Sequence, residues 1–233
     1  SSFFAFGAIN GPIGGPPAFF LTGIGGGFGI NRGLTFPTDL STFDQFPFIK
    51  ALDPAAKPAE DPMAELASLR TYFPMKVGEF WFAAGISFTS FALVDGVAVV
   101  SVAIGNGLEV ALLGLARVAL PRPQFPLVSI ELGLIARFST SEGVLWIQAQ
   151  LTDNSWILHE SVRLTGGFAF VTWFSGPNKG QFVLTLGGFH PSFKRDGYPI
   201  VPRLGFSWSV SSAISVKGEA YFALTSEAVM AGG

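Results

Sequence analysis

The chain has two histidines, His159 and His190, and neither sits in a pattern that does chemistry. His159-Glu160 begins like the helix of a zinc protease, which needs a second His four residues on so that both rings leave one helix face. Arg163 stands there instead. Trp156, Ile157 and Leu158 before His159 read as the end of a strand, with the ring partly covered, and His190 before Pro191 reads as a turn residue. Gly205-Phe206-Ser207 lies inside a regular alternation, whereas a serine nucleophile needs a sharp strand-to-helix elbow. Glu131, Glu142, Glu160 and Glu219 are scattered through strands and turns and read as solvated faces and strand ends. Gly23, Gly25, Gly26, Gly27 and Gly29 suggest a phosphate loop, but a dinucleotide site needs glycine at the first, third and sixth places. Phe28, Ile30 or Arg32 occupies the sixth, and no Gly-Lys-Ser/Thr follows. A strand stripped of side chains for close approach fits these glycines better. No enzyme, cofactor or metal site is expected.

Composition narrows the partners. Cysteine is absent, which removes thiolate chemistry and disulfides and leaves an extracellular or cell-surface setting open. Net charge is −2 and no segment gathers Lys and Arg, so nucleic acid has no electrostatic footprint to hold. Charged residues are only 13% of the chain and hydrophobic ones 49%, so the usual polar coat is thin. Residues 1–31 carry no charged side chain, but Gly11, Pro12, Gly14, Gly15, Pro16 and Pro17 break any helix of membrane-spanning length. The start has no basic segment of the kind a signal peptide carries.

The elements that would position any site read as strands. Leu204, Phe206, Trp208 and Val210 alternate with Arg203, Gly205, Ser207 and Ser209; after a turn at Ser211–Ala213, Val216, Gly218, Ala220, Phe222 and Leu224 alternate with Lys217, Glu219, Tyr221 and Ala223. Period two is the signature of a strand, and both arms of this hairpin offer apolar residues to one side. Phe80, Phe82, Ile86 and Phe88 likewise oppose Trp81, Ala83, Gly85 and Ser87, with Asp95-Gly96 as a turn signal after them. Further strands are expected over Phe3–Ile9, Ala18–Ile30, Val97–Ile104, Leu108–Leu120, Ser129–Phe138 and Val144–Leu151, with Pro121 and Pro123 ending one of them. Residues 31–79 differ. This charged, Pro-rich insertion, with Lys57 and Glu60 among its charges, holds one short helix over Met63–Phe73, capped by Asp61 with Pro62 at its first position and Leu66 and Leu69 on its apolar side. The fold class is all-β: a meander of long antiparallel hairpins forming an extended or barrel-like sheet, one module over 1–233.

Leu164-Thr165-Gly166-Gly167-Phe168, Leu184-Thr185-Leu186-Gly187-Gly188-Phe189-His190-Pro191, Pro202-Arg203-Leu204-Gly205 and the closing string Tyr221–Thr225 with Ala228–Gly233 resemble an uncharacterised microbial family of large β-rich proteins, the domain of unknown function 6603. Phe20-Leu21-Thr22-Gly23 and Asn31-Arg32 are similar to its earlier part. The resemblance carries no activity and no catalytic residues. It implies a natural chain that continues past Gly233 into further strands.

The functional expectation rests on surface. Phe80, Phe82, Ile86, Phe88, Leu204, Phe206, Trp208, Phe222 and Leu224 form the candidate hydrophobic face. An apolar trough holds a lipid-like ligand without specific polar groups, because burial of apolar area alone is worth about 25 cal/mol per Å². The same face also suits ordinary core. A structural module of an extended surface protein or filament, covered by further strands of its own chain or by neighbouring subunits, is the alternative. An outer-membrane-type barrel is the second alternative, with Trp81, Trp146, Trp156, Trp173 and Trp208 as girdles, although Ala83, Gly85, Val171 and Val183 are poor residues for a water-filled lumen.

Overall fold

The computed structural model describes residues 1–56, 61–121 and 124–233, and all their side chains except those of Pro62 and residues 64–66. Lys57, Glu60, Pro123 and the side chain of Leu66 lie outside what is described. Among the described residues fourteen strands form one antiparallel sheet. They are β1 (Phe3–Gly14), β2 (Phe20–Arg32), β3 (Met75–Ser90), β4 (Val94–Ile104), β5 (Leu108–Leu120), β6 (Val128–Ser139), β7 (Val144–Leu151), β8 (Trp156–Ile157), β9 (His159–Thr165), β10 (Gly167–Trp173), β11 (Phe182–Leu186), β12 (Leu204–Ser209), β13 (Ser215–Thr225) and β14 (Val229–Gly232).

Each strand pairs with the next as far as β7, and the apparent complexity beyond it is an interruption of the same up-and-down path. Val128 of β6 pairs with Leu120 on one side and with Ile157 of β8 on the other, while Leu132 pairs with Leu151 of β7 on that second side. So β7 and β8 lie in line along β6. In the same way β9 runs through Gly166 into β10, and β11 and β12 lie end to end along β13, broken by an excursion at 187–203. The resulting ring of eight paired strands is two tiers of one meander, not a regular barrel. Among the described residues β1 pairs only with β2 and forms one edge of the sheet.

Two excursions cover one face of the sheet. The segment between β2 and β3 contributes Leu40, Phe43, Phe46, Phe48, Ile49, Leu52 and Phe73 to a core closed by Trp81, Val97, Val99, Leu113 and Ile135. The 187–203 excursion lays Phe189, Phe193 and Tyr198 against Val144, Val171, Trp173 and Val183. Gln148 of β7 holds both: its amide donates to the Thr38 carbonyl at 3.3 Å and to the Ile200 carbonyl at 3.0 Å.

The expected helix is α2 (Pro62–Tyr72), with the Asp61 carboxylate accepting from the Met63 amide at 2.9 Å. A shorter one, α1 (Pro47–Leu52), has no sequence period long enough to announce it and is held by its buried Phe48, Ile49 and Leu52. Leu52 explains part of the glycine run. A Cβ on Gly85 would lie 2.4 Å, and one on its partner Gly25 3.1 Å, from the Leu52 methyls. One expectation is corrected. Asp95-Gly96 lies inside β4, and the turn is made by Phe91 and Ala92 at φ 50° and 53°. Gly96 serves its neighbour Phe88 across the strands: the Phe88 ring lies 2.5 Å from where a Cβ would stand.

Candidate functional site

The cross-strand register sorts every strand residue to one of two faces, and the faces differ in chemistry. One row reads Gly7, Gly26, Ala84, Val100, Leu112, Ala136, Ile147, Phe170, Leu184, Leu224 and Val229. The next reads Ile9, Ile24, Ile86, Ala98, Gly114, Leu134, Ala149, Phe168, Leu186, Phe222 and Ala231. A third, from Ala5 through Phe28, Phe82, Val102, Val110, Phe138 and Leu145, meets a hydroxyl only at Thr172. Phe80 and Phe88 bound these rows on β3; the eight steps between them at about 3.4 Å each span about 27 Å.

All nine residues of the expected face lie on this side of the sheet, in one continuous surface. It is not the core. Phe82 is 61% exposed, and Phe80, Phe206, Trp208 and Phe222 are exposed as well. The rings partly cover bare backbone, as Phe206 does over its partner Gly218. The core is built instead on the opposite face, where Trp81, Val99, Val171 and Val183 are fully buried. Ala83, Gly85, Val171 and Val183 therefore line no water-filled space; they meet the chain's own excursions. Trp81, Trp146, Trp156 and Trp173 are on that covered face too, which removes them as girdles and leaves Trp208 as the tryptophan on the apolar side.

Strand polar groups converge on the covered face. Glu131, read from sequence as solvated, has no exposed surface. Its carboxylate accepts from Arg117 Nε at 2.6 Å, from the Thr152 hydroxyl at 2.6 Å and from the Asn154 amide at 2.7 Å. Arg117 also donates to Asp53 at 3.1 Å. Burial opposes the charge of Arg117, but the two carboxylates outweigh it and hold its pKa above the ordinary value. The signal in the sequence was a charge closing an apolar alternation, Arg117 after Ala111, Leu113 and Leu115. Such a charge must find a partner, because an unpaired one is costly to bury. At the other end of the sheet Arg137 forks onto Glu142 at 2.7 and 2.8 Å and meets Glu109 at 3.0 Å. Burial pushes the Glu109 carboxyl up against the pull of Arg137.

Two adjoining clefts of about 370 and 430 Å³ open there and share Thr38, Glu142 and Trp146. Neither lining includes a histidine. The histidines are exposed and serve local turns: His159 Nδ1 meets the Ser161 hydroxyl at 3.0 Å and His190 Nδ1 that of Ser192 at 2.6 Å. His159 opens β9 directly after Leu158, which stands at φ 65°, and is exposed there. Among the described residues no cluster of His, Asp or Glu could hold a metal ion. No helix among them is long and apolar enough to cross a membrane, which says nothing of strands.

The chain belongs to the Family of unknown function (DUF6603), whose model matches residues 1–233. No curated protein and no solved structure matches it.

Proposed function

We propose that the chain is a non-catalytic β module whose bare apolar face is a wall for hydrocarbon, binding or channelling a lipid-like molecule along the strands. The observation that carries this is the composition of the three rows: from edge to edge they offer one hydroxyl and no charge. A peptide partner would bring polar groups that such a wall leaves unpaired, whereas acyl chains bring none. Area points the same way. A width of roughly 50 Å and a height of about 27 Å give a wall of the order of 1,300 Å², beyond the largest apolar patch of a typical soluble monomer. A height near the thickness of a hydrocarbon layer also suits a sheet facing a bilayer.

The test is to purify the chain without detergent, extract it with organic solvent and identify the extract by mass spectrometry, then float it with phosphatidylcholine vesicles. Co-purified acyl lipid, or flotation, that is lost in a Phe82→Lys/Leu112→Lys/Leu134→Lys variant with unchanged far-ultraviolet dichroism supports the reading. Lipid-free, non-floating protein that remains soluble and monodisperse contradicts it. The structural reading, in which neighbouring modules join this one, draws support from the strand edge at β1.

A further inference from the structure

We propose that β1 is a self-pairing edge, through which two copies of the chain join their sheets about a two-fold axis. A strand at the end of a sheet presents unpaired backbone N–H and C=O groups, and proteins that stay apart blunt such edges with charge, proline, bulges or cover. From Phe3 to Asn10 β1 has none of these. It carries no charged residue and no proline there, it keeps unbroken register with β2, and the shift comes only between Asn10 and Gly14. The strand is also held ready for a partner. Phe4 stacks on Phe73 at 4.7 Å and the Phe6 ring lies tilted against Phe48 at 4.4 Å, so its inner side chains fix it in extended form against the core.

The occupant is argued from register. A two-fold axis normal to the sheet pairs two β1 strands antiparallel and keeps the apolar face of both copies on the same side. Opposed residues must then come from the same face, so odd numbers meet odd and even meet even. Centred on Phe6, the pairing sets Phe3 against Ile9 and Ala5 against Gly7 on the bare face, and Phe4 against Ala8 on the covered one. Large meets large and small meets small on the bare face, no like charges oppose each other, and the apolar wall doubles in width without a break.

Cysteine is absent from the chain, so a cross-link reports the register directly. Ala5 is exposed, and a Cβ on Gly7 meets nothing within 4 Å, so both positions accept cysteine. Directly opposed strand residues have Cα atoms roughly 4.5–5.5 Å apart, within disulfide reach. Mixing singly substituted Ala5→Cys and Gly7→Cys chains under mild oxidation should give the mixed 5–7 disulfide in large excess over 5–5 and 7–7. Native mass spectrometry of the unmodified chain should show a dimer, and Ala5→Lys/Gly7→Lys should weaken it by at least tenfold. Homodisulfides in place of the mixed one would overturn the register. A monomer, or an open series of trimers and larger species, would overturn the two-fold pairing whatever the variants do.

Discussion

Trp81 and Phe82 are neighbours in the chain and opposites in the structure: Trp81 has no exposed surface and stacks on Phe73 at 5.4 Å, while Phe82 is 61% exposed. Truncating Trp81 to Ala should therefore cost about 3–5 kcal/mol of unfolding free energy, as emptying a core site does. Phe82→Ala should stay within about 0.5 kcal/mol. Urea titration of both variants checks this. Equal costs would mean that the face carrying Phe82 is covered in the isolated chain.

Removing the cation from the buried cluster should be expensive. Arg117→Met leaves the Glu131 carboxylate with its Thr152 and Asn154 hydrogen bonds but without its cation. The expected loss is about 3–5 kcal/mol, with much of it recovered in Arg117→Met/Glu131→Gln, where no carboxylate remains at position 131. A double variant no more stable than Arg117→Met would show that the ion pair is not what the site depends on.

The alternation that builds the strands is local, so the strands, most turns and the sorting of Phe80, Phe82, Ile86 and Phe88 to one side were legible in the sequence. Which side becomes the core was not. Both sides of β3 and β5 carry apolar residues, and the choice is made by Phe43, Phe46, Phe48 and Leu52, which come from an insertion without a period. The glycines of β2 announced close approach, but nothing local named Leu52, Phe6 or Trp81 as what approaches. Glu131 looked solvated because its partners Thr152 and Asn154 belong to the break between β7 and β8, a place set by pairing at a distance.

Glu109 should make stability pH-dependent with a definite sign. Burial raises its pKa in the folded chain, so the folded state holds this proton more tightly than the unfolded state. The contribution favours folding below the ordinary glutamate range and is lost as pH rises through the raised value. Glu109→Gln removes that dependence. Relative to the unmodified chain, the variant should gain stability between pH 4 and pH 7, measured by urea unfolding at both. A relative loss over that interval would show that the Arg137 pair dominates.

Gln148 should couple the two excursions. Gln148→Leu leaves the Thr38 and Ile200 carbonyls without this donor. Thr38 and Ile200 are exposed, so their carbonyls can turn to water, and the expected loss is about 0.5–1.5 kcal/mol, the net worth of a hydrogen bond. Hydrogen exchange should quicken together in residues 34–40 and 198–201, and quickening of only one segment would show that Gln148 does not link them.

The contact between the bare face and hydrocarbon is tested most directly by tryptophan fluorescence, because Trp208 stands on that face at 43% exposure and Trp81, Trp146, Trp156 and Trp173 on the other. The chain is mixed with vesicles of phosphatidylcholine brominated along its acyl chains, and quenching is compared with Trp208→Phe. Quenching confined to the Trp208 signal and absent from Trp208→Phe is the predicted result. Unquenched Trp208, or equal quenching in Trp208→Phe, would contradict a hydrocarbon-contacting face.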